Sequence, residues 1–263
     1  MAVFDVPRKA RVKSKTGIYH LIWRGVNRQE IFHEEEDWKM FLDILKKYKS
    51  KFQLTVYAWC LMGNHVHLLM KEGDENISVT MKRIGISYVR YYNWKYRTTG
   101  HLFQDRFRSE NVESPLYFRT VVRYIHQNPV KAKMVTRPDE WKWSSCHGYY
   151  GHETYPQGLL NSHFLLNLFS PDFKVAKEQF KEFNERQNGD QCLEEKVIYR
   201  RSTDEEARLN IKEILDKVEI PEVKGLPQEQ RNEILRKVKR IDGLSMRQIA
   251  RIFGIPLTLV FKV

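Results

Sequence analysis

The sequence predicts an α+β protein: a ferredoxin-like split βαβ core with an antiparallel sheet, followed by an α-helical C-terminal region with a helix-turn-helix-like unit. Three observations carry this. Runs of strand composition at residues 17–24, 54–60 and 65–70 alternate with two long stretches of 3.6-residue periodicity. Gly63-Asn64, between the second and third runs, is hairpin turn chemistry. Beyond residue 160 the periodicity is helical.

In chain order, residues 17–24 read as the first strand and residues 25–28 as a loop. From Glu34 the pattern turns helical, with Trp38, Phe41, Leu42, Leu45 and Tyr48 at three- and four-residue spacing. Acidic residues 34–37 at its start and Lys46, Lys47 and Lys49 at its end complement the helix dipole. Residues 54–60 are rich in β-branched and aromatic side chains, and the Gly63-Asn64 turn brings residues 65–70 back as their hairpin partner. Asn76 or Ser78 caps a helix to about Tyr96. Its apolar stripe is Ile77, Met81, Ile84, Tyr88 and Tyr91, and its other face carries Lys82, Arg83, Arg90 and Lys95.

Residues 97–100 break that helix. Residues 101–108 mix aromatics with arginines and lead to a short strand near 111–113. Ser114-Pro115 opens the next helix, expected to end at Asn128 because Pro129 disfavours helical backbone at the residue before it. Strand, helix, strand, strand, helix, strand is the split βαβ order, with helices expected on one face of the sheet. Trp141 and Trp143 close this domain by packing over an edge of the core. Residues 160–200 read as helices. Ser202-Thr203-Asp204-Glu205 is a capping-box signature before Ala207, Leu209, Ile211, Ile214 and Leu215. The expected domains are residues 1–150, a helical connector 151–226, and a helix-turn-helix-like tail 227–263.

The composition narrows the function. A hydrophobic fraction of 41% and an aromatic fraction of 13% are those of a folded chain. The formal charge of +12 and a pI near 9.5 suggest a polyanionic partner. That charge is segregated: residues 1–150 carry 26 Lys/Arg against 15 Asp/Glu, residues 151–230 carry 11 against 16, and residues 231–263 carry 8 against 2. Two basic blocks thus flank an acidic connector. Cys60, Cys146 and Cys192 are odd in number and widely spaced, which fits a reducing compartment rather than a disulfide framework. No signal peptide and no membrane span are expected, so the expected location is cytoplasmic, nucleoid-associated.

Side-chain alternation on the 65–70 strand puts His65 and His67 on one face, about 7 Å apart along the strand. Two imidazoles so placed can converge on a divalent cation, with a third ligand from elsewhere and an open position for chemistry. Tyr124 and Asn128 lie four residues apart and share one helix face. Asn128 offers a carbonyl oxygen as the third ligand, and a tyrosine one turn from a bound metal could attack a phosphodiester covalently. Phe103, Phe107 and Tyr92 are candidates either for base stacking or for the core.

His65-Val66-His67 resembles the histidine–hydrophobic–histidine signature of HUH endonucleases. Gly100-His101-Leu102-Phe103-Gln104, Arg106-Phe107, Tyr124-Ile125, Asn128-Pro129-Val130 and Trp143-Ser144-Ser145 resemble, in the same order, the REP-associated tyrosine transposases. These belong to the single-tyrosine HUH superfamily, and the resemblance covers about residues 15–150. It implies a Mg²⁺- or Mn²⁺-dependent nickase and strand transferase acting on single-stranded DNA at hairpin-forming palindromic repeats. It implies His65, His67 and Asn128 as metal ligands, and Tyr124 as the nucleophile that takes a 5′-phosphate. Asn128 stands where relatives carry an amide or carboxylate, with a shorter reach than Gln. Lys82, Arg83, Arg90, Lys95, His101, Arg106 and Arg108 are the expected DNA contacts. A homodimer is among the assemblies the resemblance allows. The competing readings are a catalytically silent DNA-hairpin-binding protein or repressor, and a metal hydrolase of small phosphoesters that the basic blocks disfavour.

Overall fold

The computed structural model describes residues 11–190, 192–193, 203–216, 218–241 and 243–263. The chain divides into two compact units, Met1–Glu194 and Glu195–Val263.

In the first unit β1 (Ile18–Arg24), β2 (Thr55–Leu61), β3 (His65–Lys71) and β4 (Arg108–Asn111) form one antiparallel sheet in the order β2-β3-β1-β4. The helix α1 (Glu35–Phe52) crosses from β1 to β2, leaving the place between them that β3 fills from the Gly63-Asn64 hairpin. This is the expected α+β, split βαβ arrangement. The strand β4 begins earlier than expected, at Arg108, because its ladder to β1 starts from Ile22↔Arg108.

Tyr19, Leu21, Trp23, Val66, Leu68 and Met70 point to the face covered by α1 and α2 (Ile77–Tyr96), where Phe41, Leu45, Ile84 and Tyr88 complete a buried core. A Cβ at Gly85 would stand 2.8 Å from the Trp23 ring, so glycine there lets α2 lie against the indole. Asp37 ties the two helices together: Tyr91, Lys95 and Tyr96 reach its carboxylate at 2.8, 2.8 and 2.6 Å. Burial alone would raise this carboxyl, but hydrogen bonds from Lys95, Tyr96 and two backbone N–H groups outweigh it and hold it well below the carboxylate range.

The opposite face is covered too, contrary to the one-sided arrangement expected. The helix α3 (Pro115–Lys131) buries Phe118, Val121, Val122 and Ile125 against Ala58, Cys60 and Leu69. Three further helices complete this layer: α4 (Cys146–Tyr149), α5 (His163–Asn167) and α6 (Phe173–Glu185). Leu165, Leu166, Ala176 and Phe180 are fully buried in it. Residues 151–190 therefore pack with the first unit, whereas the sequence placed a boundary at 150.

The helix α3 does not stop at Asn128. It continues through Pro129 to Lys131. Proline supplies no N–H to the preceding turn, and the Asn128 side chain folds back onto that turn, its Nδ2 donating to Tyr124 O at 2.9 Å and lying 3.5 Å from Ile125 O.

In the second unit, α7 (Asp204–Leu215), α8 (Gln228–Val238), α9 (Met246–Phe253) and α10 (Leu257–Lys262) enclose Ala207, Ile211, Val223, Leu235, Val238, Ile249 and Val260. Residues 203–226 thus share one core with the expected 227–263 tail. Thr203 and Glu206 form the capping box of α7, and Gly254, at φ 64°, ends α9 before the last helix. Ser202 of the capping signature, and residues 191 and 194–200 of the expected helical stretch, lie outside the described residues.

Candidate active site

The antiparallel register builds the site. His67 stands opposite Ile22 and His65 opposite Arg24, so the alternate residues His20, Ile22 and Arg24 of β1 share a face with both histidines. That face is the one beneath α3. His65 is half-buried, His67 is buried and His20 is wholly buried. The His65 and His67 ring centroids are 5.1 Å apart, and Tyr124 descends from α3 to place its ring 5.8 Å from both His67 and His20. Lys131, two turns further along α3, sets its Nζ 4.6 Å above the Tyr124 ring.

The hydrogen bonds define which nitrogens remain. His65 Nδ1 donates to Asn64 Oδ1 at 2.6 Å, which leaves its Nε2 with a lone pair. His67 Nδ1 lies 3.2 Å from His20 Nε2, so its Nε2 is likewise the nitrogen left over. Asn128 spends its Nδ2 on the helix backbone, leaving Oδ1 as its other polar atom. Burial pulls His20 to a pKa of about 3, and burial with the Arg24 charge does the same for His65. Burial and the neighbouring His65, His20 and Arg24 hold His67 well below the usual imidazole value. All three rings are therefore neutral at pH 7, the state that ligates metals. Among the described residues no group of three or more His, Cys, Asp or Glu is placed to hold a metal ion. The donors brought together here are the His65 and His67 imidazoles, while Asn128 lies on the Tyr124 helix with its amide turned onto that helix's own backbone.

The expected DNA contacts divide. Lys82, Arg90, His101 and Arg106 line one cavity of about 800 Å³ between α2 and the 100–107 loop, on the sheet face opposite the histidines. Its wall includes Trp23 and Phe103, stacked at 4.7 Å. Arg108 is exposed on β4, on the same sheet face as Ile22 and His67. Arg83 and Lys95 are instead engaged within the fold: Arg83 with Glu75 at 3.0 Å, and Lys95 with Asp37 and Glu34 at 2.8 and 3.0 Å. Of the aromatics, Tyr92 is buried with its hydroxyl on His33 at 2.8 Å, and Phe107 is buried beneath the Arg11 guanidinium. Phe103 alone of the three stays half-exposed.

Residues 13–128 match the family described as "Transposase IS200 like". This part of the chain is similar to the IS200-like transposases. The chain is also similar to two solved structures. One is titled "Structure of the REP associates tyrosine transposase bound to a REP hairpin"; it is 21% identical, with a TM-score of 0.49, and the match covers 57% of this chain and 89% of that one. The other, a putative transposase from Deinococcus radiodurans R1, is 20% identical with a TM-score of 0.32, covering 48% of this chain and 92% of that one. No curated protein matches the chain. The family carries a transposase-like DNA-processing role and is generally metal-dependent. No helix among the described residues is long and apolar enough to cross a membrane.

Sequence reading missed His20, Arg24 and Lys131. Alternation groups His20 with Arg24, but only the β1–β3 register puts that pair beside His65 and His67.

Proposed function

We propose that this chain is a metal-dependent single-stranded DNA endonuclease and strand transferase acting at hairpin-forming palindromic repeats through a 5′-phosphotyrosine intermediate. The observation that carries the reading is the meeting of Tyr124 with the His65–His67 pair under one helix. His65 and His67 through Nε2, with Asn128 through Oδ1, would hold Mg²⁺ or Mn²⁺, which when bound supplies Lewis-acid polarisation of a scissile phosphate.

The chain's own residues account for the rest. The Tyr124 oxygen forms a bond to phosphorus as the bond to the 3′ oxygen breaks; the phenol's proton ends on the freed 3′-hydroxyl, and the 5′-phosphate stays on tyrosine. A phenol ionises near pH 10 in water, so a nearby cation must favour its anion, and Lys131 over the ring supplies one. Arg24, the cross-strand neighbour of His65, places a second positive charge beside the site for phosphate. The phosphotyrosine conserves the bond, so a 3′-hydroxyl of the same or another strand reverses the step without a nucleotide cofactor. Lys82, Arg90, His101 and Arg106 hold the single strand's backbone, and Phe103 offers a ring for stacking.

The test is cleavage of a labelled single-stranded hairpin oligonucleotide with Mg²⁺ or Mn²⁺. His65→Ala and His67→Ala should each abolish cleavage while leaving hairpin binding, carried by Lys and Arg, largely intact. Wild-type rates in His65→Ala would remove the site from this position. Hairpin binding with no cleavage by the wild type would leave a silent binding protein.

A further inference from the structure

We infer that His20 is a positioning residue for His67: it accepts the His67 Nδ1–H and so fixes the tautomer whose Nε2 lone pair faces a divalent cation. This rests on the proposed role of His65 and His67 as ligands. Metal binding through His67 Nε2 requires the proton on Nδ1, and a buried N–H requires an acceptor. His20 Nε2, at 3.2 Å, is the acceptor the fold places there. Of the other groups beside His67, Arg24 has no acceptor atom, and the His65 lone pair is on Nε2, the nitrogen proposed to face the cation.

The placement of His20 is hard to explain by packing. It is a wholly buried imidazole in the middle of β1, its strand neighbours Tyr19 and Leu21 are core residues, and among the described residues its Nδ1 has no hydrogen-bond partner. An apolar ring of similar volume would fill the same space without leaving a buried polar atom unsatisfied. What an apolar ring cannot do is receive a proton from His67. On the other ligand Asn64 does the same work, with an amide oxygen in place of the imidazole nitrogen.

The experiment uses the full chain in four forms: wild type, His20→Phe, His20→Gln and His65→Ala. Mn²⁺ affinity is read from the electron paramagnetic resonance of free Mn²⁺, with no DNA present. His20→Phe keeps the volume and removes the acceptor, and affinity should fall about 10- to 100-fold, the usual effect of losing such a partner. His20→Gln returns an oxygen near the Nε2 position and should recover affinity to within a few-fold of wild type. In ¹⁵N-histidine spectra of wild type saturated with Mg²⁺, His67 should carry its proton on Nδ1. A folded His20→Phe that binds Mn²⁺ as tightly as wild type overturns the inference, as does a His67 protonated on Nε2. If His20→Phe does not fold, the Gln variant and the wild-type spectrum still decide. If wild type shows no saturable Mn²⁺ site, or His65→Ala binds as wild type does, the ligand assignment itself fails and this inference with it.

Discussion

Ending the chain after Tyr150 should destroy the first unit, although the sequence marks that point as a domain end. The cut removes α5 and α6 and with them Leu165, Leu166 and Phe180, each fully buried. It also strips the cover from Phe118, Tyr149 and His126; Phe180 stands 4.9 Å from the Tyr149 ring and 5.9 Å from the His126 ring. At about 1.5–3 kcal/mol for each large apolar side chain, the three alone account for about 5–9 kcal/mol, an upper figure because unfolded chains already bury some surface. Whole domains are stable by about 5–15 kcal/mol. The cut also removes Asp190, whose carboxylate takes the Arg123 guanidinium at 2.6 and 2.8 Å beside Tyr124 on α3. The assay is urea unfolding, followed by far-ultraviolet circular dichroism, of chains ending at 150 and at 194. The longer should unfold cooperatively, and the shorter should be unfolded or insoluble without urea. Equal midpoints for the two would refute the reasoning.

Two further predictions concern pH and salt. His126 is wholly buried with Nε2 2.9 Å from Ser145 Oγ, and burial pulls it to about 3 from an ordinary 6.5. Between those values the unfolded chain binds a proton that the folded protein excludes, so stability falls as pH drops below 6.5, on the order of 2 kcal/mol at pH 5 for this group; an unchanged urea midpoint between pH 7 and 5 would contradict it. Replacing Lys82, Arg90 and Arg106 together by Gln should weaken single-stranded DNA binding and flatten the salt slope by about 0.7 for each phosphate no longer neutralised. Arg83→Gln, whose partner is Glu75, should change the slope less; equal slopes in the triple variant and wild type would show that the strand runs elsewhere.

The legible parts of the fold were those encoded by local periodicity. Strand alternation put His65 and His67 on one face, and the Gly63-Asn64 turn and the Asn76 cap ended elements where residue chemistry said they should. Errors came where tertiary partners override local rules. Pro129 stays within α3, and the Asn128 amide folds back onto the preceding turn, an arrangement invisible to a propensity. Lys95 reads as a free cation on a polar helix face, but Asp37, 58 residues away, claims it. The histidine face reads as the open side of a sheet, yet α3 and the 163–185 helices close it, because amphipathic periodicity says which residues of a helix are buried and not what they are buried against. His20 escaped for the same reason: its meeting with His67 depends on the pairing of two strands 47 residues apart.

The central claim is that Tyr124 joins covalently to DNA, and Tyr124→Phe tests it most directly. The substitution removes one oxygen and keeps the ring against His67 and His20, so fold and hairpin affinity should survive. A 3′-labelled single-stranded hairpin keeps its label on the 5′-phosphate fragment, so on a denaturing gel the wild type with Mg²⁺ or Mn²⁺ should yield a labelled band linked to protein. The Phe variant should yield none while binding the hairpin as before. An adduct that persists in Tyr124→Phe would contradict the account and assign the nucleophile to another residue.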